Sequence, residues 1–310
     1  MGILLLAVLG GCARSLERPA LSEQTLQSED KQLLEEALSL MVERWSRVLA
    51  VSYRLRTAGV ELCGAHVAPI LGLIGARAID LPTRFRETQL QMYGMSDQVV
   101  VLDVLPDSPA ARAGVERRDK LVSVKGHAIR GYSDVVDALR DGDNTAVRVK
   151  IARNDNAMDL AVPVVLACSQ DALLSFRGGL DVTVEKNHKD VAVSTDLLQF
   201  VQSDDELALA IARAMARSVI GKDTEDDGPK LPEADRLGLY LAARSGFETS
   251  SALAFWDRVA LSRPTDVACI REGTEECKPP AGRYPDRAAE IQTTTLEIQE
   301  KRTKGEPLTP

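Results

Sequence analysis

Few residues in this chain have the type and spacing for chemistry. The three histidines are His66, His127 and His188. His66 and His127 fall in the strand-like stretch over residues 66–167 and His188 in a hairpin turn; each reads as a surface or loop residue rather than a metal ligand. The five cysteines include no Cys-x-x-Cys pair, so a zinc site built from them is not expected. No Gly-x-Ser-x-Gly elbow occurs, and no Ser, His and Asp set stands in a context that fits a triad. The most telling side chains are Arg213 and Arg217. They lie one turn apart on an expected helix, so both guanidinium groups share one face. A guanidinium stays protonated and has no lone pair to give. Such a face repels a dication, and Ala214 between the two offers no base.

The elements that position these arginines are legible. Ser203 followed by Glu206 makes a capping box. Residues 204–220 then carry Leu207, Leu209, Ala210, Ala214 and Val219 as apolar surface, with Gly221 as a stop. The loop over residues 222–230 is acidic. A second helix is expected from near Pro232 to Gly246, and a third over about residues 251–261. Ahead of them, residues 182–185 and 191–194 read as a hairpin around Asn187-His188-Lys189. Near the N-terminus, Leu33, Leu34, Ala37, Leu38, Leu40, Met41, Trp45 and Val48 recur at helical spacing within residues 29–51. That amphipathic helix is expected to pack on a neighbouring domain and to carry no chemistry.

Residues 66–167 alternate like strands. Residues 99–105 form one, and residues 120–125, closed by Gly126, a second. Residues 145–152 and 158–166 form a hairpin around Asn154-Asp155-Asn156. Ser133 can cap a short helix over residues 134–140, ended by Asp141-Gly142. Pro106-Asp-Ser-Pro-Ala-Ala-Arg-Ala-Gly114, Arg118-Asp119-Lys-Leu121 and Val124-Lys125-Gly126 resemble the corresponding segments of bacterial PDZ domains, in the order of the circularly permuted, protease-associated variety. Arg118 stands where that family has glycine, which puts the turn there in doubt. The resemblance implies a peptide added as an extra strand beside one helix. It implies a carboxylate loop at Leu71, Gly72 and Leu73, and groove contacts from Val135, Val136 and Leu139, some of which must face the core. The competing reading of residues 70–73 is an ordinary core strand.

Residues 1–12 read as a short export signal. The apolar run is far below the ~20 residues that span a bilayer. Leu9-Gly10-Gly11-Cys12 resembles a bacterial lipobox, with Cys12 lipidated. No Lys or Arg precedes the run, so the alternatives are a start further upstream or a buried apolar strand. Removing Cys12 leaves Cys63, Cys168, Cys269 and Cys277. An even remainder in an exported protein suggests two disulfides, Cys269 with Cys277 and Cys63 with Cys168; four free thiols is the alternative. The formal net charge of −8, with aromatics at only 4%, argues against nucleic acid as a partner.

Several blocks in the second half resemble the HtpX- and BepA-type zinc metallopeptidases, in their PDZ-containing lipoprotein branch. These are residues 204–217, Glu233-Ala-Asp235 through Gly246, Phe255-Trp256, Arg287 with Glu297 and Lys301, and the Pro-Leu-x-Pro end. The resemblance implies a mainly helical, gluzincin-like domain. The positions that hold His-Glu-x-x-His in that family are Arg213, Ala214 and Arg217 here. The third ligand position is Leu231. A further histidine position falls on Lys278 or Tyr284. Glu233 lies near but faces another side of its helix. Metal site and general base are thus lost together, and no cofactor is expected. What fills the vacated face stays open: Glu233 or Asp235 pairs with Arg213 or Arg217, or both arginines reach solvent.

The expected fold is α+β. It comprises a signal (1–12), a tether and N-terminal helix (13–65), a PDZ domain (66–167) and a degenerate metallopeptidase-like domain (168–310). The expected function is a catalytically dead pseudopeptidase that binds peptides, protein C-termini or unfolded envelope proteins as scaffold or adaptor. It would be held to the bacterial membrane by a lipid, facing the periplasm, with Ala13 after Cys12 favouring the outer membrane. The alternatives are an active envelope hydrolase with a non-standard site and a purely structural protein.

Overall fold

The computed structural model describes residues 22–140, 145–176, 178–180, 182–184, 190–220, 231–262 and 284–310. Cys12, Cys269, Cys277, Lys278, the loop over 222–230 and the hairpin turn with His188 lie outside these residues. So do the side chains of Leu231 and Tyr284.

Helix α1 (Glu23–Ala58) opens at Ser22, whose hydroxyl accepts the Thr25 N–H, and closes where the Gly59 N–H reaches Leu55 O. At about 1.5 Å per residue it is roughly 50 Å long. Its first turns are exposed on every side. Further along it serves two cores. Leu38, Met41, Val42 and Leu49 pack against the outer face of a β-sheet, while Val48, Val51 and Leu55 enter a helical body.

After α1 come strands β1 (Val67–Ile70) and β2 (Leu73–Ala76), helix α2 (Arg86–Tyr93), strand β3 (Val100–Val104) and helix α3 (Pro109–Arg112). Strands β4 (Lys120–Val124) and β5 (His127–Ala128), helix α4 (Tyr132–Arg140), and strands β6 (Ala146–Arg153) and β7 (Asn156–Pro163) follow. The main sheet runs β2-β3-β4-β6-β7, with β5 beside β4. One face, with Leu73, Val99, Val101, Leu121, Val149 and Ile151, packs under α4. Asn154 and Asp155 alone form the β6–β7 turn, both left-handed at φ 49° and 62°; this is the twist a two-residue hairpin needs. Asn156 is therefore strand rather than turn. Arg118 also sits left-handed, at φ 73°. The turn is kept there despite the missing glycine, at a backbone cost of about 1–2 kcal/mol. Asp119 is fully buried beneath it and takes a two-pronged contact from Arg153, at 2.7 and 2.8 Å.

The chain then leaves the sheet. Strand β8 (Val165–Cys168) pairs with β1, and the Cys63–Cys168 disulfide clips that pair to the end of α1. Strand β9 (Asp171–Ser175) lies parallel to β11 (Asp190–Ser194), which pairs antiparallel with β10 (Val182–Val184). The hairpin was legible in the sequence and the parallel partner was not. Helices α5 (Thr195–Phe200), α6 (Asp204–Ile220), α7 (Leu231–Arg244), α8 (Ala252–Leu261) and α9 (Tyr284–Lys304) complete the body. At the α6 start, Ser203 Oγ accepts the Glu206 N–H, and Glu206 reaches back to the Gln202 N–H, one residue beyond the expected box partner. Gly238 lets α7 approach α6, because a Cβ there would lie 2.9 Å from the Arg213 backbone.

Candidate functional site

Two places collect the residues singled out from the sequence. The first is the edge of the main sheet at β2. Gly72 has φ +76°, and a Cβ on it would lie 2.5 Å from the Ser108 Cβ, so only glycine fits. The Leu71 carbonyl accepts the Ala110 N–H and the Gly72 carbonyl accepts the Leu105 N–H. In a trans peptide the N–H points opposite to the C=O. The N–H groups of Gly72 and Leu73 therefore turn away from residues 105–110, the arrangement a small anion-binding nest requires.

The register carries this one residue further. Leu73 lies opposite Val104, while the Leu105 N–H bonds to Gly72 O. In an antiparallel ladder that makes Leu73–Val104 a pair without mutual hydrogen bonds. Both polar groups of Leu73 thus project off the sheet edge, where an added strand would find them. They do not project into open solvent. Residues 71–76 are all buried. The Tyr132 hydroxyl, from the first residue of α4, donates to Leu73 O at 2.8 Å. Its ring also stands against Gly75, where a Cβ would come within 3.2 Å. Burial pushes the Tyr132 phenol well above its ordinary value, with the Asp171 charge adding to the effect.

Helix α4 sorts the expected groove residues. Val135, at 1% exposure, belongs to the core and cannot line a groove; Leu139 is also buried there. Val136 is half-buried outside that core. Tyr132 precedes Val136 by one helical turn, so the two share a face. The tyrosine was missed, although an aromatic four residues before a half-exposed valine was a readable signal.

The second place is the face between α6 and α7. Asp235 is 3% exposed. Its Oδ1 accepts Arg213 Nε at 2.6 Å and Arg287 Nη2 at 2.9 Å, while its Oδ2 accepts Arg287 Nε at 2.6 Å. Both guanidinium groups lie over the Trp256 ring, at 5.3 and 5.2 Å from its centre. Burial pulls the Arg213 guanidinium below its ordinary value, partly countered by the Asp235 charge. Arg217 and Glu233 take no part in this pairing; both are exposed. Ala214 is buried. Arg287 completes the cluster from α9, seventy-four positions after Arg213 in the sequence. Its place in the chain gave no sign of that contact. Zinc does not fit this face: the carboxylate's oxygens are engaged by guanidinium groups, and the flanking side chains are cationic. Among the described residues no group of three or more His, Cys, Asp or Glu converges, and no helix is long and apolar enough to cross a membrane.

A strand-edge groove beside a single helix, with a glycine-hinged loop at its end, defines a PDZ-type module. The sequence model of the PDZ domain matches residues 100–153. The chain therefore carries a PDZ domain. Over 74 residues it is 31% identical to the probable CtpA-like serine protease of Staphylococcus aureus strain COL, covering 23% of this chain and 15% of that protein. The same figures hold for the protein of strain MRSA252. The chain thus spans only 15% of the length of these relatives. Among solved structures, the HtrA3 PDZ domain bound to a phage-derived ligand is 19% identical, covering 33% of this chain and 88% of that one, with a TM-score of 0.26. The HtrA-type protease AlgW with decapeptide is 18% identical, covering 32% and 30%, with a TM-score of 0.28.

Proposed function

We propose that this protein recognises extended peptides through its PDZ domain and does not cut them. The observation that carries this reading is the pair of Leu73 polar groups aimed off the β2 edge beside α4, next to a loop whose N–H groups turn the same way. Main-chain bonding to such an edge supplies affinity, and the flanking helix supplies selectivity. A phage-derived ligand sits on the HtrA3 PDZ domain and a decapeptide on AlgW; peptides are the ligand class proposed here.

In this reading the helical body is a scaffold of the HtpX- and BepA-like kind whose chemistry is gone. Arg213, Ala214 and Arg217 offer neither ligand nor base, and Asp235 is held by Arg213 and Arg287. The Cys63–Cys168 disulfide supports an oxidising compartment. Together with the lipobox-like segment at Cys12, it supports a lipid-anchored place in the bacterial envelope, facing the periplasm. Protein C-termini and unfolded envelope proteins are the partners this implies.

An array of decapeptides with free or amidated C-termini tests the reading. Binding is expected from free C-termini and is expected to be lost in Gly72→Asp, where a side chain meets Ser108, and in Val136→Asp, which leaves the core alone. No bound peptide on the whole array overturns it. Chelator-sensitive cleavage of unfolded casein by the parent protein would overturn its non-cutting half. The burial of β2 favours a second reading, a structural protein whose groove stays shut; an empty array decides for it.

A further inference from the structure

We infer that Tyr132 is a built-in gate of the peptide groove: its hydroxyl occupies the Leu73 carbonyl that an incoming strand needs, so ligand and tyrosine compete for one acceptor. The inference rests on the peptide-binding reading above and adds a regulation to that site.

Three observations converge. The register frees the Leu73 C=O from the sheet, and among the described residues its hydrogen-bond partner is the Tyr132 hydroxyl at 2.8 Å. Strand β2 is buried along its whole length, although among the described residues it is the edge of its sheet. The ring accounts for part of this cover, since it lies against Gly75, where a Cβ would come within 3.2 Å of it and within 2.8 Å of Val99. Gly75 thus leaves room for both the Tyr132 ring and Val99.

The gate also sits at a seam. The charges that act on the Tyr132 hydroxyl belong to Asp171 and Arg56, outside the PDZ sheet. Arg56 near the end of α1 donates to Cys168 O at 2.9 Å and to Asp171 at 2.6 Å in β9. Cys168 is itself tied to Cys63. Helix α4 lies against β1 as well as over the sheet, and its Tyr132 hydroxyl reaches Leu73 O, so it sits where α4, the sheet edge and the disulfide-clipped strands meet. Opening the groove means moving a side chain held between the two bodies.

Competition for one acceptor has a defined consequence. When the closed form dominates, the apparent affinity falls by the fraction of molecules that are open. Deleting the hydroxyl leaves Leu73 O buried and unpaired in the free protein, a cost that a ligand N–H relieves. Affinity should therefore rise when the tyrosine becomes phenylalanine.

The experiment uses the full chain in three forms: parent, Tyr132→Phe and Tyr132→Ala. Its first readout needs no ligand. With the closing contact gone the buried β2 edge should open more often, so amide hydrogen exchange over residues 73–76 is expected to be at least about fivefold faster in both variants than in the parent, with exchange in β6 unchanged. Equal exchange in all three forms, with folding verified by circular dichroism, overturns the gate. The second readout is affinity for whichever free-C-terminal decapeptides the array retains. Tyr132→Phe is expected to tighten them about fivefold to tenfold. Unchanged or weaker binding with unchanged exchange overturns the gate and leaves peptide recognition standing. Faster exchange with no peptide bound by any form upholds the closing contact and overturns peptide recognition.

Discussion

At the groove beside β2, one neutral hydroxyl meets one backbone carbonyl. On the face between α6 and α7, two guanidinium groups share one buried carboxylate. Both places look like sites, and in both the chain's own side chains stand where a ligand would. The physics of the two fillings differs. A neutral hydrogen bond contributes about 1 kcal/mol net, and a ligand can replace it with one of its own. A buried charge left without its partner costs about 3–5 kcal/mol, so the second filling does not open under ordinary conditions. The lesson is that one region is closed but exchangeable, while the other is closed and structural. On the proposed reading, binding belongs to the first and shape to the second.

The largest expected effect concerns the clip between the two regions. Replacing both Cys63 and Cys168 by serine removes a crosslink between residues 105 apart. By chain entropy this costs about 4–5 kcal/mol. Urea unfolding of parent and double variant measures it, and addition of a reductant to the parent should reproduce it. A loss under about 1 kcal/mol would show that the seam is held by packing alone.

Next come the two charged positions on α6 and α7. Asp235→Ala strands Arg213 and Arg287 among buried groups and is expected to cost about 3–5 kcal/mol. Arg217→Ala changes an exposed residue outside the cluster and should stay within about 0.5 kcal/mol. Paired urea titrations read both. If the two variants behave alike, the α6–α7 filling is not structural and the contrast with the groove collapses. Tyr132→Phe should lose only about 1 kcal/mol in the same assay. A loss matching that of Asp235→Ala would make the groove as permanent as the helical face.

How much of this was legible before folding follows the same division. Local signals read well. The capping serine at 203 and the apolar spacing after it gave helix α6, and Asn154-Asp155 marked the hairpin. Positions 71–73 came from the resemblance, through their place ahead of the rest of the domain; an apolar run with one glycine is a weak signal by itself. What depends on distant partners did not read. The parallel pairing of β9 with β11 joins residues that share no local pattern. Arg287 stood among the blocks that carry the second resemblance, but nothing near it in sequence pointed to Asp235, which it reaches from another helix. Val135 and Val136 are equally apolar, and only the helix phase sends one to the core and leaves the other at its edge. Tyr132 shows the limit most plainly: its neighbours gave its helical face, but the carbonyl it meets is fifty-nine residues away.

The two smallest effects test the regions separately. In the PDZ sheet, Arg118→Gly relieves a left-handed backbone at φ 73°. Glycine removes the steric cost but adds chain entropy to the unfolded state, so the net gain should be at most about 1 kcal/mol. In the helical body, Glu297 accepts from Arg236 at 2.7 and 3.0 Å, from the Tyr240 hydroxyl at 2.6 Å, and pairs with Lys301 at 3.0 Å. These partners, Arg236 first, lower its carboxyl to about 2. A depressed carboxyl adds stability above its unfolded value near 4.5, and that stability fades as pH falls from there toward about 2. The side chain is 31% exposed, so water screens the gain and the effect should be modest. Urea midpoints at pH 5 and pH 3 should therefore fall further in the parent than in Glu297→Gln. Tyr132→Phe should leave that difference untouched, because its bond lies in the other region and titrates only at high pH. A shared pH response would mean that the two fillings are coupled through the seam.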